Sequence, residues 1–183
     1  MTEGTAPGQT ESAPRAKVSA EFVTTTLTAE HRVDDFDSGE PETDQWLRHR
    51  AWRSQRQGSA RTRVLVRPGD RSVLGFYAIA PHDTQREDLP GSAAGGLTVV
   101  PGYLIAQLAV DRSLQGLGLG GELLLDALET IVAAAGSVGG RLVVVDAVHE
   151  SAVRFYERYG FIRVGASQRL YLKISRAAAS LNL

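Results

Sequence analysis

Several residue types that support common kinds of protein chemistry are missing or rare in this chain of 183 residues. It has no cysteine, which excludes disulfides, thiolate metal sites and a cysteine nucleophile. Its histidines, His31, His49, His82 and His149, are too scattered to predict a metal site, so no metal is expected. No segment approaches the roughly 20 apolar residues that a membrane span needs, and residues 1–15 lack the apolar run of a signal peptide. We therefore expect a cytoplasmic protein with no membrane contact.

Lysine is also rare, and the basic residues are unevenly distributed. Lys17 and Lys173 are the only lysines among 20 basic residues, and the formal net charge is −1. One interpretation is a coding bias towards arginine on a solvated helix face; the other is a local surface that binds phosphates. The arginines between residues 48 and 63, here called the arginine cluster, are Arg48, Arg50, Arg53, Arg56, Arg61 and Arg63.

The order of the predicted elements indicates one α/β domain with a central mixed sheet flanked by helices. Residues 1–20 are polar and predicted to be a disordered tail, and residues 21–183 are predicted to form the domain. Pro41 suits a first helical turn, after which Trp46 and Leu47 begin an apolar stripe at helical spacing.

The second half of the chain predicts the order strand–helix–strand–helix–strand. The nearly continuous apolar run 103–110 is typical of a central strand buried on both faces, and residues 81–102, rich in Pro, Gly and Asp, predict a long loop. The predicted elements are a short strand within 21–36, a helix over 41–57, a hairpin of strands over 61–67 and 72–80, a strand over 103–110, a helix over 118–135, a strand over 141–147, a helix over 150–159 and an antiparallel pair over 161–164 and 169–174.

A glycine-rich turn joins the strand at 103–110 to the helix that follows it. Glycines at alternating positions let backbone N–H groups converge on one point, and the helix adds its unpaired N–H groups and the positive end of its dipole. This is the arrangement of a diphosphate cradle. The alternative is that the glycines only allow close packing of strand and helix, but their number favours the cradle. The glycines are Gly116, Gly118, Gly120 and Gly121.

The identity of the diphosphate is a separate question. Gly116, Gly118 and Gly121 satisfy G-x-G-x-x-G, and Asp146 closes the next strand, which mimics a dinucleotide-binding fingerprint. A dinucleotide fold needs several βαβ units, however, and only one helix follows Asp146 before an antiparallel ending. No Gly-Lys-Ser/Thr follows the glycines, which excludes a P-loop. Coenzyme A is the remaining common diphosphate ligand that suits one strand–turn–helix unit.

Two motifs, in the expected order, resemble the GNAT acetyltransferase superfamily. Residues 115–120 (QGLGLG) resemble its Q/R-x-x-G-x-G/A pyrophosphate loop, and residues 155–161 (FYERYGF) resemble its later FYERxGF segment. The likeness covers roughly residues 35–174. It implies the GNAT fold, acetyl-CoA as cosubstrate, and Tyr156 as the general acid that protonates the leaving sulfur. The implied acetyl-CoA-binding residues are Leu108, Ala109, Val110, Gln115, Gly116, Leu117, Gly118, Leu119, Gly120 and Gly121.

A narrower resemblance is to the GNAT toxins of type II toxin–antitoxin modules. It implies N-acetylation of the α-amino group of aminoacyl-tRNA, a block of translation, a ribbon-helix-helix antitoxin and a homodimer. Gln107 stands where those toxins usually have arginine, and Ser38 replaces a frequent cysteine. The segments that recur in order in those toxins are 36–39 (FDSG), 46–47 (WL), 59–62 (SART), 75–78 (GFYA) and 108–111 (LAVD).

With a tRNA acceptor, the arginine cluster, Arg154 and Arg158 are the candidate phosphate contacts that position the acceptor stem. The reference pKa of an α-amino group is about 7.7–8.0, so part of the amine is neutral near pH 7 without a dedicated base. His149 and Glu150 are candidates for a base, or they begin a helix. Two other functions stay open: a metabolic GNAT acting on a small amine or a protein N-terminus, and a non-catalytic CoA-binding regulatory module.

Overall fold

The computed structural model describes residues 21–181, so the disordered tail predicted for residues 1–20 lies outside the described range. The strands are β1 (Val23–Thr26), β2 (Arg61–Val66), β3 (Gly75–Gln85), β4 (Val99–Val110), β5 (Leu142–Asp146), β6 (Ile162–Arg163) and β7 (Arg169–Lys173). The helices are α1 (Pro41–Trp46), α2 (Trp52–Gln57), α3 (Gly91–Ala94), α4 (Leu119–Val138), α5 (Glu150–Arg158) and α6 (Ile174–Ser180). No helix within the described range is both long and apolar enough to cross a membrane.

The strands form one mixed sheet in the order β1-β2-β3-β4-β5-β7-β6. Only β4 and β5 run parallel; every other neighbouring pair of described strands is antiparallel. The α/β class with a central mixed sheet is therefore confirmed, as are the hairpin of β2 and β3 and the antiparallel ending. The helix predicted over 41–57 is also confirmed, because a π-helical segment, Leu47–Ala51, joins α1 to α2 without a break.

Helices cover both faces of the sheet. Successive strand residues point to opposite faces, and Leu65 and Tyr77 pack with Leu123 of α4 in the largest core cluster. Their neighbours Val64 and Phe76 pack on the opposite face, in the cluster that contains Leu47 and Ala51 from the helix over 41–57. A third cluster lies on that same second face, where the segment with α3 covers β5 and β7.

The long loop predicted over 81–102 is wrong. Strand β3 continues to Gln85 and β4 begins at Val99, and the two extensions pair with each other. Proline and glycine at 81, 101 and 102 suggested a loop, but Thr84 and Val100 are buried side by side in the pairing register, so cross-strand packing outweighs local composition. The remaining connection contains a 3-10 turn, Arg86–Asp88, and the short helix α3.

A second expectation, that the strand at 103–110 is buried on both faces, is also wrong. Side chains 106–109 are only partly buried, because β5 pairs with β4 no further than Ile105. Helix α6, which ends the described chain, had no predicted counterpart. Its short alanine-rich sequence carries little periodic signal, and it packs against α4.

A largely buried polar group fixes α4 to the sheet. The Tyr77 hydroxyl donates to the Asp126 carboxylate at 2.7 Å and lies 3.2 Å from the Thr130 hydroxyl. The guanidinium of Arg63 completes the group, with Nε 3.5 Å from the same carboxylate. Since a buried carboxylate needs compensating partners, this group specifies where α4 sits on β2 and β3.

Candidate active site

A wedge-shaped cleft opens where β4 and β5 separate. The two strands pair in parallel only from Gly102–Ile105 on β4. Ala106 has no partner on β3, because Ala78 pairs with Gln107 and Ile79 with Ile105, so a β-bulge lies at this point. Bulges bend the strand that carries them, and beyond this one β4 has an unpaired edge, here called the open edge. The cleft, here called the donor cleft, has a volume of about 530 Å³.

Backbone N–H groups line the open edge. Asp111 N–H donates to Leu74 O at 2.9 Å, towards β3, whereas Val110 O accepts from Gln115 Nε2 at 3.0 Å on the other side. Backbone groups of successive strand residues alternate between the two edges, so the N–H groups of Leu108 and Val110 face the cleft. The N–H of Ala109 faces β3 instead. Of the three predicted backbone contacts, two are placed to bind a ligand's carbonyl.

The glycine turn leads from the end of β4 into α4. Gly116 and Gly118 have φ values of 82° and 85°, which L side chains rarely adopt, and a Cβ at either position would meet nothing within 4 Å. These two glycines therefore shape the turn rather than pack it. The first N–H groups of a 20-residue helix, at Leu119 and Gly120, have no intrahelical acceptor. The exposed turn and this helix start fit a diphosphate.

Two residues of the predicted cofactor set have other contacts. The side-chain amide of Gln115 donates to the Ser38 and Val110 carbonyls, at 2.8 and 3.0 Å, and so holds the turn in place. Gly121 is buried, and a Cβ there would lie 1.9 Å from the Tyr159 hydroxyl. For Gly121, close packing accounts for the glycine. Leu117, by contrast, is 66% exposed at the tip of the turn.

Tyr156 lies on α5 and lines the donor cleft across from the open edge. Its ring packs edge-on against Phe155 and Phe161, with centroids 5.1 and 5.4 Å away. Burial raises the pKa of Tyr156 to about 12. The phenol therefore keeps its proton at neutral pH, which is the form that a general acid requires.

The two candidate bases begin α5. His149 is the N-cap of this helix: its Nδ1 accepts the Ala152 N–H at 3.1 Å, while Nε2 lies 3.4 Å from Glu40 Oε1 across the cleft mouth. Glu150 accepts two hydrogen bonds from Arg163, at 2.6 and 3.1 Å, and the same arginine lowers the pKa of this carboxyl. Both side chains are occupied at the helix start. Within residues 21–181, no group of three or more histidine or acidic side chains is placed to hold a metal ion.

The structure does not gather the arginine cluster on one surface. Arg48 is partly buried and donates to the Phe36 carbonyl, and Arg63 pairs with Asp126 on the α4 face. Arg61 is exposed but donates to the Gln55 carbonyl at 2.8 Å. The exposed arginines of the helix over 41–57 are Arg50, Arg53 and Arg56.

The two arginines beside Tyr156 are both exposed on α5. Arg158 lies over the Phe155 ring, 5.9 Å from its centroid, so it contributes a cation–π contact as well as a surface charge. Arg154 lies close enough to Glu150 to lower the pKa of that carboxyl further. Their positive charge lies on the helix that carries the candidate acid.

Sequence reasoning missed one network of hydrogen bonds that supports the site. Asp44 is buried and accepts hydrogen bonds from the Ser38 N–H and hydroxyl, at 3.0 and 2.6 Å, while the Ser38 carbonyl holds Gln115. Asp37 and Asp111 add a second link, from the Asp37 N–H to the Asp111 carboxylate at 3.1 Å. The segment before α1 therefore holds the glycine turn. The recurring FDSG and LAVD segments were the available signal, but their partners are about 75 residues apart.

The chain matches the model of the acetyltransferase (GNAT) family over residues 26–161. It belongs to this family, and the predicted GNAT fold and acetyltransferase class are confirmed. A relative named tRNA-acetylating toxin, from Mycobacterium tuberculosis (strain ATCC 25618 / H37Rv), is 43% identical over 130 residues, which cover 70% of this chain and 77% of that protein. A probable toxin TacT from Sinorhizobium fredii (strain NBRC 101917 / NGR234) is 28% identical over 136 residues, covering 69% and 75%.

Two solved structures extend the likeness. AtaT complexed with acetyl-methionyl-tRNAfMet superposes with a TM-score of 0.81 at 29% identity, covering 89% of this chain and 100% of that chain. AtaTR bound with acetyl-CoA gives a TM-score of 0.77 at 28% identity, covering 87% and 98%.

Proposed function

We propose that this chain is an acetyl-CoA-dependent toxin that acetylates the α-amino group of aminoacyl-tRNA and so blocks translation. The observation that carries the proposal is the donor cleft, which combines the open edge of β4, the glycine turn and the protonated Tyr156 in a chain 43% identical to a tRNA-acetylating toxin. The cleft fits an acetyl-CoA arm, since the unpaired strand edge and the helix start supply N–H groups for its carbonyls and diphosphate.

The reaction requires little chemistry from the chain itself. Acetyl-CoA supplies the thioester carbonyl; the amine nitrogen forms a bond to it, the carbon–sulfur bond breaks, and the nitrogen loses a proton to water. The N–H groups of Leu108 and Val110 orient and polarise the carbonyl at the open edge. Tyr156 gives its proton to the departing sulfur and regains one from solvent. The amine is already partly neutral near pH 7.

The exposed arginines on the acceptor side can bind a polyanion at a small number of positions. Arg50, Arg53 and Arg56 are exposed on one helical run, and Arg154 and Arg158 are exposed on α5. Arginine side chains of this kind position a phosphate backbone without reading bases. Because such binding releases counterions, we expect the KM for charged tRNA to rise steeply with salt while that for acetyl-CoA changes little.

The proposal extends to partners and place of action. A toxin of this class needs an antitoxin, and we propose a ribbon-helix-helix protein whose contact with the donor cleft stops turnover. We also propose a homodimer acting in the cytoplasm, where charged tRNA is found. Light scattering on the purified protein tests the dimer, and inhibition by the product of a neighbouring small reading frame tests the antitoxin.

The decisive experiment is transfer of radiolabelled acetyl groups from acetyl-CoA to a pool of charged tRNAs. Uncharged tRNA and free amino acids serve as controls. Label on charged tRNA alone is the expected result, and sorting the labelled tRNAs identifies the amino acid. Intact acetyl-CoA binding with no label on any charged tRNA would rule out this acceptor and direct the search to small amines and protein N-termini.

A further inference from the structure

A second cavity adjoins the donor cleft on the face of the sheet that the helix over 41–57 covers. It has a volume of about 570 Å³ and is here called the α1 cavity. It shares Gln107 with the donor cleft. The residues that line it are Glu42, Gln45, Trp46, His49, Arg50 and Gln107.

The position of Gln107 fixes how the two spaces are related. Gln107 pairs with Ala78 on β3, whereas the next residue, Leu108, pairs with Tyr77. Because neighbouring strand residues point to opposite faces, Gln107 faces the α1 cavity while Leu108 packs with the α4 core. A ligand in the α1 cavity therefore meets β4 just where the open edge begins. Its reactive end would reach the donor cleft past Gln107.

The cavity walls combine an aromatic surface, one exposed cation and several polar groups. Trp46 is partly buried, and its indole lies parallel to the Phe76 ring, at 5° and 6.1 Å, so the ring is held before any ligand binds. Arg50 supplies a guanidinium and Glu42 a carboxylate, both on exposed residues. Gln45 and Gln107 supply amide groups. An aromatic face with hydrogen-bonding groups around it suits a nucleobase and its ribose.

The opposite charges limit how a nucleotide can lie there. A phosphate is attracted by Arg50 and repelled by Glu42, whereas a ribose hydroxyl or an exocyclic amine can donate to the Glu42 carboxylate. One phosphate at the Arg50 end, with an uncharged nucleoside beyond it, satisfies both side chains. This is the chemistry of the last nucleotide of an RNA strand, whose 3′ end carries no further phosphate.

We propose that the α1 cavity binds the 3′-terminal nucleoside of the aminoacylated acceptor strand, with Arg50 on the phosphate that precedes this nucleoside. The inference rests on the proposed function and adds a defined subsite to it. Seating the nucleoside against Trp46 places the aminoacyl group beside Gln107, where its amine can reach the donor cleft. The cavity thus recognises the nucleotide to which the amino acid is attached, not the amino acid.

The test uses three acceptors that carry the same aminoacyl group. The first is the amino-acid amide, and the second is a 3′-aminoacylamino-adenosine with a stable amide link. The third is the same adenosine derivative with a cytidine joined to its 5′ oxygen through a phosphate. Stacking on an aromatic ring is worth about 5- to 150-fold in binding, and a charged hydrogen bond about 10- to 150-fold. We expect kcat/KM to rise by such factors at each step in the unsubstituted protein.

Two variants assign the two steps to residues. Arg50→Gln removes the gain from the phosphate and keeps the gain from the nucleoside; Trp46→Leu removes the gain from the nucleoside. Arg176→Gln, on the opposite face of the sheet, is the matched control and changes neither step. Thermal melting and acetyl-CoA binding show whether Trp46→Leu is folded, and Arg50→Gln, at an exposed position, tests the proposal independently of that outcome.

The outcomes separate the two hypotheses. If charged tRNA is acetylated but the nucleoside adds nothing to the amide, or Arg50→Gln slows all three acceptors equally, the subsite is wrong and the function stands. If charged tRNA and all three acceptors remain unlabelled, the proposed function fails and the subsite fails with it.

Discussion

Replacing Tyr156 by phenylalanine separates catalysis from packing at the donor cleft. The tyrosine is 8% exposed, and its ring contacts with Phe155 and Phe161 do not involve the hydroxyl. Within residues 21–181 the hydroxyl has no hydrogen-bond partner, so the substitution breaks no hydrogen bond within the protein. We expect the free energy of unfolding to change by less than about 1 kcal/mol, which corresponds to roughly 2–4 °C in Tm for a chain of this size.

The rate should respond much more strongly. General acid catalysis contributes about 10²- to 10⁴-fold, or roughly 2.7–5.4 kcal/mol, so kcat should fall by that factor while the Kd for acetyl-CoA stays the same. The assay follows release of the CoA thiol with charged tRNA as acceptor, and calorimetry gives the Kd. Tyr171→Phe removes the hydroxyl of another buried tyrosine, on β7 and outside the cleft lining, and is the matched control.

The pH profile gives an independent check on the same residue. Since burial raises the pKa of Tyr156 to about 12, its phenol stays protonated at pH values well above the ordinary pKa of about 10. We expect activity to rise as the acceptor amine loses its proton and to show no loss near pH 10 from Tyr156. A kcat reduced less than tenfold in Tyr156→Phe, or a loss of acetyl-CoA affinity that accounts for the whole defect, would refute this reasoning.

Three further predictions concern stability. Gly121→Ala should lower the free energy of unfolding by about 1–2 kcal/mol in thermal melts, because its Cβ would overlap the Tyr159 hydroxyl. The control is Gly120→Ala, whose Cβ would lie 3.8 Å from Phe155 and which should be near neutral. Equal effects of the two substitutions would contradict the packing argument. Tyr77→Phe should lower the free energy of unfolding in urea by about 1.5–3 kcal/mol, because the Asp126 carboxylate loses its 2.7 Å hydrogen bond. An unchanged urea midpoint would show that this polar group does not stabilise the fold. Burial raises the pKa of both Tyr77 and Tyr156 in the folded state, so their contribution is complete below the unfolded value of about 10 and is lost as the pH rises through the folded values. The urea midpoint should therefore fall above pH 10, and a flat midpoint up to pH 11 would count against it.

Local patterns were sufficient for most elements of the fold. The apolar periodicity of α4 and the continuous runs of β4 and β5 appear in the sequence, and the observed bounds lie within a few residues of those predicted for these three elements. The glycine turn was also predictable, because positive φ at Gly116 and Gly118 is a local backbone requirement. Composition misled where β3 and β4 extend to pair with each other across the predicted loop, and where the apolar run of β4 suggested burial on both faces.

The geometry of the site was less accessible, because it depends on contacts between distant residues. Nothing local distinguishes Gly121, which packs on Tyr159, from Gly116, which shapes the turn. The arginine cluster is contiguous in sequence, but strand alternation sends Arg63 to Asp126 on the far face of the sheet. The bulge at Ala106 has no composition signal at all.

Because of that bulge, part of the site depends on the number of residues in β4 and not on which residues they are. Before Ala106 the odd-numbered residues Tyr103 and Ile105 face α4; after it the even-numbered Leu108 and Val110 do. A substitution at 106 changes one small side chain, but a deletion would make Ile105 and Gln107 consecutive residues opposite Ile79 and Ala78, which is a regular ladder without the bulge. Sequences that diverge by substitution can therefore keep the bend in β4, whereas a single-codon deletion here would remove it in one step.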